Sequence, residues 1–176
     1  MILELDRLFP DDPFETHSTE EIRKAVEDQK ANLSGLEFSG ADLSRAHLSG
    51  AYLTTADMSG VKLTYADLSG ANLSGAYLGN ADLSGANLTG ANLTGTHLGG
   101  TNFTGANLTG ANLSGSLGEV TNYTGANLTR ANFQGAWMSN PILTGVTGFA
   151  GVPDPLSKWL KDFTNDIRSG KFGSKE

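Results

Sequence analysis

A five-residue hydrophobic period runs through the middle of the chain. From Ala31 to Gly145 the sequence divides into 23 consecutive units, of which ADLSG at 81–85 and ANLTG at 86–90 are typical. The third residue, the centre, is Leu in 16 units, Phe in three, Met in two and Tyr in one. Ala opens 16 units, Asn or Asp precedes the centre in 14, Ser or Thr follows it in 19, and Gly closes 16. Apolar and polar positions therefore alternate within each unit.

This period fits no ordinary secondary-structure element. On an α-helix five residues advance by 500°, so successive centres would lie roughly 140° apart. On a continuous strand five is odd, so successive centres would alternate between faces. Every centre points inward only if the chain bends after each unit, and Gly accepts the positive φ that tight bends need. The pattern therefore predicts an all-β solenoid that buries the centre and the opening Ala.

The number of units in one coil is indicated by the bulky centres. A spacing of 20 residues stacks Phe103 on Tyr123, whereas a spacing of 15 places Phe103 against Gly118. We therefore favour square coils of four units, with triangular coils of three units as the alternative.

The repeated units resemble those of the pentapeptide repeat family, whose motif A(D/N)LXX matches the units quoted above. The resemblance covers residues 31–145, about two thirds of the chain. It implies a right-handed quadrilateral β-helix with four pentapeptides per coil, so that 23 units make just under six coils. The resemblance also suggests a bacterial source, and a cyanobacterial one in particular, because the family is abundant there.

The two flanks are predicted to cap the open ends of this β-helix within one structural domain. Residues 1–30 form the N-terminal cap, 31–145 the repeat, and 146–176 a C-terminal capping helix and tail. Ser18–Glu21 matches a capping box and predicts a short helix near 19–29, with Ile22, Ala25 and Val26 on one face.

The C-terminal helix is predicted to begin near Asp154 and Pro155, an N-cap residue and a first helical residue. Its apolar stripe consists of Leu156, Trp159, Leu160, Phe163 and Ile167. This stripe either covers the last coil or joins two copies in a homodimer, and both interpretations stay open.

The most irregular unit is Ser116–Val120, which places Gly118 at the centre and turns Leu117 and Val120 outward. On the same face a four-unit coil aligns Glu37, Asp57, Tyr77, His97, Leu117 and Trp137. We predict an interaction strip made of Tyr77, His97, Leu117, Val120 and Trp137, because contiguous exposed apolar area usually marks a contact. Three alternatives remain: residues 146–165 fold back over the strip, the strip binds a partner or a second copy, or it has no role.

Composition and charge exclude several classes of function. The absence of Cys excludes disulfides and thiolate chemistry, and the net charge of −7 argues against direct nucleic-acid binding. The sequence has no run of about 18 apolar residues, so no membrane-spanning helix is predicted. The start MILELDRLFPDD lacks the basic n-region of a secretory signal, and a cytoplasmic location is therefore expected. The three histidines, His17, His47 and His97, are scattered, and no cofactor, metal or catalytic constellation is expected.

Three functions are compatible with these sequence features. The first is a non-enzymatic scaffold or protein–protein interaction module of unknown partner. The resemblance implies a second, an acidic DNA mimic that inhibits a DNA-binding enzyme such as DNA gyrase, although the repeat region carries a net charge of only −3. The third is an ice-binding surface, built from outward columns such as Ser69, Thr89 and Thr109.

Overall fold

The fold is a stack of coils in which parallel β-bridges connect residues separated by 20 positions. The structure, a computed structural model, describes residues 19–28 and 32–148. Isolated bridges run from Glu37↔Asp57 to Asn127↔Thr147, and all of them keep the 20-residue separation. Twenty residues are four five-residue units. Two short strands, β1 (Leu117–Glu119) and β2 (Trp137–Ser139), pair in parallel with the same separation.

Each unit ends in a β-turn that brings the next unit onto a new face. The N–H of Ala86 donates to the Leu83 carbonyl at 3.0 Å, which closes a four-residue turn, and the third residue of that turn, Gly85, has φ +66°. All 16 unit-closing glycines have positive φ, as predicted. The seven units that close with another residue also have positive φ there, between 50° and 64°. These residues are Arg45, Thr55, Tyr65, Asn80, Val120, Arg130 and Asn140.

The backbone groups between turns bond to the coils on either side. The N–H of Leu83 donates to the Asn102 carbonyl at 2.8 Å, and the N–H of Asn102 donates to the Ala81 carbonyl at 2.9 Å. The chain turns after each such pair, so outside β1 and β2 the described solenoid consists of isolated bridges. The expected all-β fold is therefore present as a bridge ladder with little continuous strand.

The core consists of the unit centres and the opening alanines. Every apolar centre from Leu33 to Phe133 is fully buried. The rings of Phe103 and Tyr123 stack with centroids 5.3 Å apart and planes 11° from parallel. The predicted stacking of these two centres is therefore confirmed, and the column behaves as a continuous apolar core.

Four units open with a buried hydroxyl in the place of Ala. Each hydroxyl is satisfied by a backbone carbonyl at 2.7–2.9 Å, so its burial leaves no unpaired donor. The four residues are Thr96, Thr101, Ser116 and Thr121.

A helix covers the N-terminal end of the stack. Helix α1 spans Thr19–Asp28, close to the predicted 19–29, and the side chain of Val26 is fully buried. The N–H of His47 donates to Glu27 Oε1 at 2.7 Å. In later coils the equivalent N–H, such as that of Asp67, donates to a carbonyl of the preceding coil. The Glu27 carboxylate therefore replaces the carbonyl of a missing coil. The predicted C-terminal stripe, Leu156 to Ile167, lies outside the described residues.

We expect Glu27→Ala to lower the free energy of unfolding by about 1 kcal/mol, because the His47 N–H loses its acceptor. Glu27→Gln keeps an acceptor oxygen and should lose less than half as much. Urea unfolding followed by circular dichroism measures both values. Equal losses in the two variants would contradict this capping role.

Candidate interaction surface

One face of the solenoid carries the predicted strip. We call it the second face, defined by units 36–40, 56–60, 76–80, 96–100, 116–120 and 136–140. Consecutive bridges join the residues that precede its centres into one column. From the N-terminal end the column reads Glu37, Asp57, Tyr77, His97, Leu117 and Trp137. Five bridge spacings of ~4.8 Å make it about 24 Å long.

The residues of the strip are exposed and stacked in order along this column. The Tyr77 ring stacks on the His97 ring with centroids 4.8 Å apart, and Leu117 is in register with Trp137. Trp137 is 58% exposed. Val120 lies at the corner that closes the same face and is also largely exposed. The structure therefore places all five predicted residues on one face, and the residues from 149 onward that were considered as a cover lie outside the described part.

The loss of the apolar centre at Gly118 is compensated inside the core. A Cβ at Gly118 would collide with Met138 Sδ and would lie 2.6 Å from Thr121 Oγ1. Tyr123, the next centre, extends its hydroxyl to 4.0 Å from Met138 Sδ. The ring of Tyr123 is fully buried, and this burial raises the pKa of its hydroxyl. Met138 and Thr121 therefore occupy the space that a side chain at position 118 would need, and Tyr123 contacts Met138 from the next unit.

Two glycines leave bare backbone beside the aromatic pair. Gly79 and Gly99 follow their centres, in a position that holds Ser or Thr in 19 of the 23 units. Neither has positive φ, and an added Cβ would meet nothing closer than 3.7 Å. Packing within the described rod therefore has room for a side chain at both sites. The backbone next to Tyr77 and His97 is therefore bare at both positions, and we call this stretch the trough.

Charge is distributed unequally around the rod. The six units of the second face contain three acids, Glu37, Asp57 and Glu119, and no Lys or Arg. The units that follow in each coil form the third face (41–45 to 141–145) and the fourth face (46–50 to 126–130). These two faces contain the three basic residues of the repeat, Arg45, Lys62 and Arg130. The strip therefore lies on a surface whose only formal charges at neutral pH are negative.

The remaining faces carry ladders of Asn and Thr that bond mainly to each other. Thr94 Oγ1 donates to Asn92 Oδ1 at 2.6 Å and accepts from Asn112 Nδ2 at 3.0 Å. Similar bonds recur in the Thr89, Thr104, Thr109, Thr124 and Thr129 units. These hydroxyl protons are already donated within the protein, which weighs against an ice-binding surface.

A second surface feature was missed by the sequence reasoning. A cleft of about 490 Å³ is lined, among the described residues, by Arg45, His47 and Tyr65. The Arg45 guanidinium carbon lies 6.0 Å from the centroid of the Tyr65 ring. Arg45 and Tyr65 occupy consecutive corners that later coils fill with Gly. The two non-glycine corners in succession were the signal that could have indicated this cleft.

The described part of the chain contains no cluster of three or more His, Asp or Glu that could hold a metal ion. Among the same residues, no helix has the length and hydropathy needed to span a lipid bilayer.

Two carboxyls of the ladders have lowered pKa values. Hydrogen bonds from the Ser44 hydroxyl and backbone N–H lower the pKa of Asp42. Partial burial acts to raise the pKa of Asp67, but hydrogen bonds from Ser69 and Asn87 outweigh it, so the net shift is downward. Both carboxylates therefore favour the folded state in their ionised form.

We expect stability to fall in acid and to fall less in the double variant Asp42→Asn/Asp67→Asn. A lowered folded-state pKa gives stability that is present above the ordinary value of 3.8 and is lost as the pH falls through the folded value. Asn keeps the acceptor, as Asn72 does for the Ser74 N–H at 3.1 Å. Urea unfolding between about pH 4 and pH 2 measures, for the wild type and for the double variant, how steeply the free energy of unfolding falls with pH. Parallel slopes for the two proteins would refute the assignment.

The five-residue pattern also matches a known family model. The model described as Pentapeptide repeats (8 copies) matches residues 29–60, 56–90, 86–117 and 121–145, well over half of the chain. The chain belongs to the pentapeptide repeat family. The matches break at residues 118–120, within the irregular unit. Pentapeptide repeat proteins are right-handed quadrilateral β-helices and are generally structural or interaction modules.

Several solved structures are similar to the chain. The pentapeptide repeat protein Rfr23 of the cyanobacterium Cyanothece 51142 is 41% identical over 58% of this chain and 63% of its own, with a TM-score of 0.42. The pentapeptide repeat protein alr5209 of Nostoc PCC 7120 is 35% identical over 60% of this chain and 83% of its own, with a TM-score of 0.35. QnrB1, a plasmid-mediated fluoroquinolone resistance protein, is 20% identical over 73% of this chain and 84% of its own, with a TM-score of 0.35. A search of the curated proteins finds no match.

Proposed function

We propose that this protein is a non-enzymatic protein–protein interaction module whose contact is the strip of Tyr77, His97, Leu117, Val120 and Trp137. The observation that carries the proposal is the exposure of this strip in register along one face. The other faces carry ladders of Asn and Thr, and their exposed apolar residues Tyr52, Tyr65 and Ile142 do not follow one another in one column. Contiguous exposed apolar side chains favour a contact, since covering them removes apolar area from water.

The proposal includes the finer architecture of the module. The repeat at 31–145 is a right-handed β-helix with four units per coil, flanked by an N-terminal cap at 1–30 and a C-terminal helix and tail at 146–176. The bridge separation of 20 residues and helix α1 support this arrangement. Two further predictions remain part of the proposal: the C-terminal stripe either covers the last coil or joins two copies in a homodimer, and the location is cytoplasmic.

Affinity capture from the source organism tests the contact directly. We expect a partner retained by the wild type to be lost with both Trp137→Ala and Leu117→Ser. Tyr52→Ala is the matched control, since Tyr52 is a 55% exposed aromatic residue that bridges to Asn72 on another face. Equal retention by all four proteins would overturn the proposal.

Val120→Gly should weaken partner binding and raise stability at the same time. Val120 is β-branched and has φ +52°, a conformation that disfavours such side chains, so Gly relieves strain worth about 0.5–1 kcal/mol after its own entropy cost. Binding falls because an exposed apolar side chain is removed. A variant that is more stable yet binds less well cannot owe the loss to unfolding.

Thr55→Gly is the control for this prediction, because Thr55 also lies at a corner with positive φ, at +57°, but outside the strip. It should raise the midpoint of thermal unfolding and leave binding unchanged. If Val120→Gly binds as well as the wild type, Val120 does not belong to the contact.

The DNA-mimic alternative has less support. Inhibition by DNA mimicry needs an extended acidic surface. In the described rod the second face carries only three acidic residues, and the third and fourth faces carry all the basic residues of the repeat. The similarity to QnrB1 lies at 20% identity and concerns the fold alone.

A further inference from the structure

The geometry points to a basic amphipathic helix as the partner segment that binds the second face. This inference rests on the proposed function, because it names the chemistry of the partner for the same strip. Three features carry it: the sign of the charges beside the strip, the spacing of its side chains, and the trough at Gly79 and Gly99.

The charges select a basic partner. Glu37 and Asp57 continue the column of the strip at its N-terminal end, and Glu119 lies between Leu117 and Val120 at the other end. No Lys or Arg belongs to any unit of this face. A partner with apolar residues alone would cover these carboxylates without compensation, whereas Lys and Arg at the edge of the contact pair with them.

The spacing selects a helix over an extended peptide. Successive side chains of the column lie one coil apart, ~4.8 Å. Turns of an α-helix recur every 5.4 Å, whereas side chains on one face of a strand recur every ~6.7 Å. A helical apolar stripe therefore follows the column more closely. A helix of about 16 residues spans the 24 Å between Glu37 and Trp137.

The trough explains how a helix approaches the face. Gly79 and Gly99 lack the side chains found after the centre in most units, although the rod has room for a Cβ at both positions. The glycines are therefore not required by internal packing at these sites. They leave space beside the edges of Tyr77 and His97, in which side chains of a helix can lie against backbone.

Three peptides of about 16 residues test the inference on the full-length protein. The first has Leu at helix-spaced positions and Lys elsewhere, the second replaces Lys with Glu, and the third is the Lys peptide broken by a central Pro. Isothermal titration calorimetry at fixed ionic strength measures binding. We expect the Lys peptide to bind at least about tenfold more tightly than either of the others. Equal affinities of the Lys peptide and either comparison peptide, or absent binding, overturn the inference.

Variants of the protein locate the binding. Glu37→Gln/Asp57→Asn should lower affinity for the Lys peptide at least about threefold, and Gly79→Thr/Gly99→Thr, which fills the trough, at least about fivefold. Asp82→Asn removes an acid from the third face and is the control, expected to change nothing. A control loss as large as that of the double charge variant would mean nonspecific attraction and overturn the inference.

The result is separable from that of the proposed function. If the capture experiment loses a partner with Trp137→Ala and Leu117→Ser while the peptides fail to discriminate, the strip is a contact and its partner is not a basic helix. If neither experiment responds to the strip, both proposals fail.

Discussion

We expect Leu88→Ala to lower the free energy of unfolding by about 2–5 kcal/mol. Leu88 is a fully buried centre in the middle of the stack, one coil from Leu68 and Leu108 on either side. Its backbone N–H donates to the Asn107 carbonyl at 2.8 Å, so the coil cannot slide inward without loss of that bond. The truncation therefore leaves a cavity in addition to the lost apolar burial.

Thr89→Ser is the matched control for Leu88→Ala. Thr89 is the next residue, points outward and accepts a hydrogen bond from Asn107 Nδ2 at 3.0 Å through a hydroxyl that Ser retains. The control should change stability by less than about 0.5 kcal/mol. Denaturant unfolding of both variants measures the difference. A Leu88→Ala loss no larger than that of the control would contradict the inward position of the unit centres.

Restoring the consensus centre with Gly118→Leu should destabilise the protein by about 1–3 kcal/mol. A repeat consensus alone predicts the opposite, because Leu occupies this position in 16 units. In the structure, Met138 Sδ and Thr121 Oγ1 occupy the space that the new side chain would need. The new Leu side chain therefore either overpacks the core of this coil or forces the Met138 side chain out of it.

The double variant Gly118→Leu/Met138→Ala isolates this cause. Removing the Met138 side chain makes room for the new Leu, so the double variant should recover at least half of the stability lost by Gly118→Leu. The two changes should be coupled in a double-mutant cycle, because the side chains contend for one space. Strictly additive losses would mean that Met138 does not fill the missing centre.

Much of the fold follows from the five-residue period, because alternation within a unit and a bend after it leave few arrangements that bury every centre. The stacking of Phe103 on Tyr123 was predictable for this reason, and the helix near residues 19–29 was predictable from the capping box at Ser18–Glu21. Glycine indicated 16 of the corners, but the sequence did not indicate that Arg45, Thr55 and Val120 adopt the same positive φ. Bonds to neighbouring coils impose that conformation, and local propensity does not reveal them.

The candidate site was predictable to the extent that it depends on register. Residues 20 positions apart share a face, so the column from Glu37 to Trp137 can be read from the printed sequence. The packing of Met138 and Thr121 around Gly118 could not be read in the same way, because it depends on side-chain volumes from two coils. The role of Glu27 was also hidden, since a carboxylate in a flanking helix takes the place of a backbone carbonyl.

In-cell photo-crosslinking tests the central claim, that this strip is a protein contact, most directly. A benzoylphenylalanine residue placed at position 137 should form a crosslink to one defined protein in the source organism. The same residue at position 52, an equally exposed aromatic position on another face, should not. Crosslinking from 137 and not from 52 is the predicted result. Equal crosslinking from both positions, or crosslinking from neither, would contradict the claim.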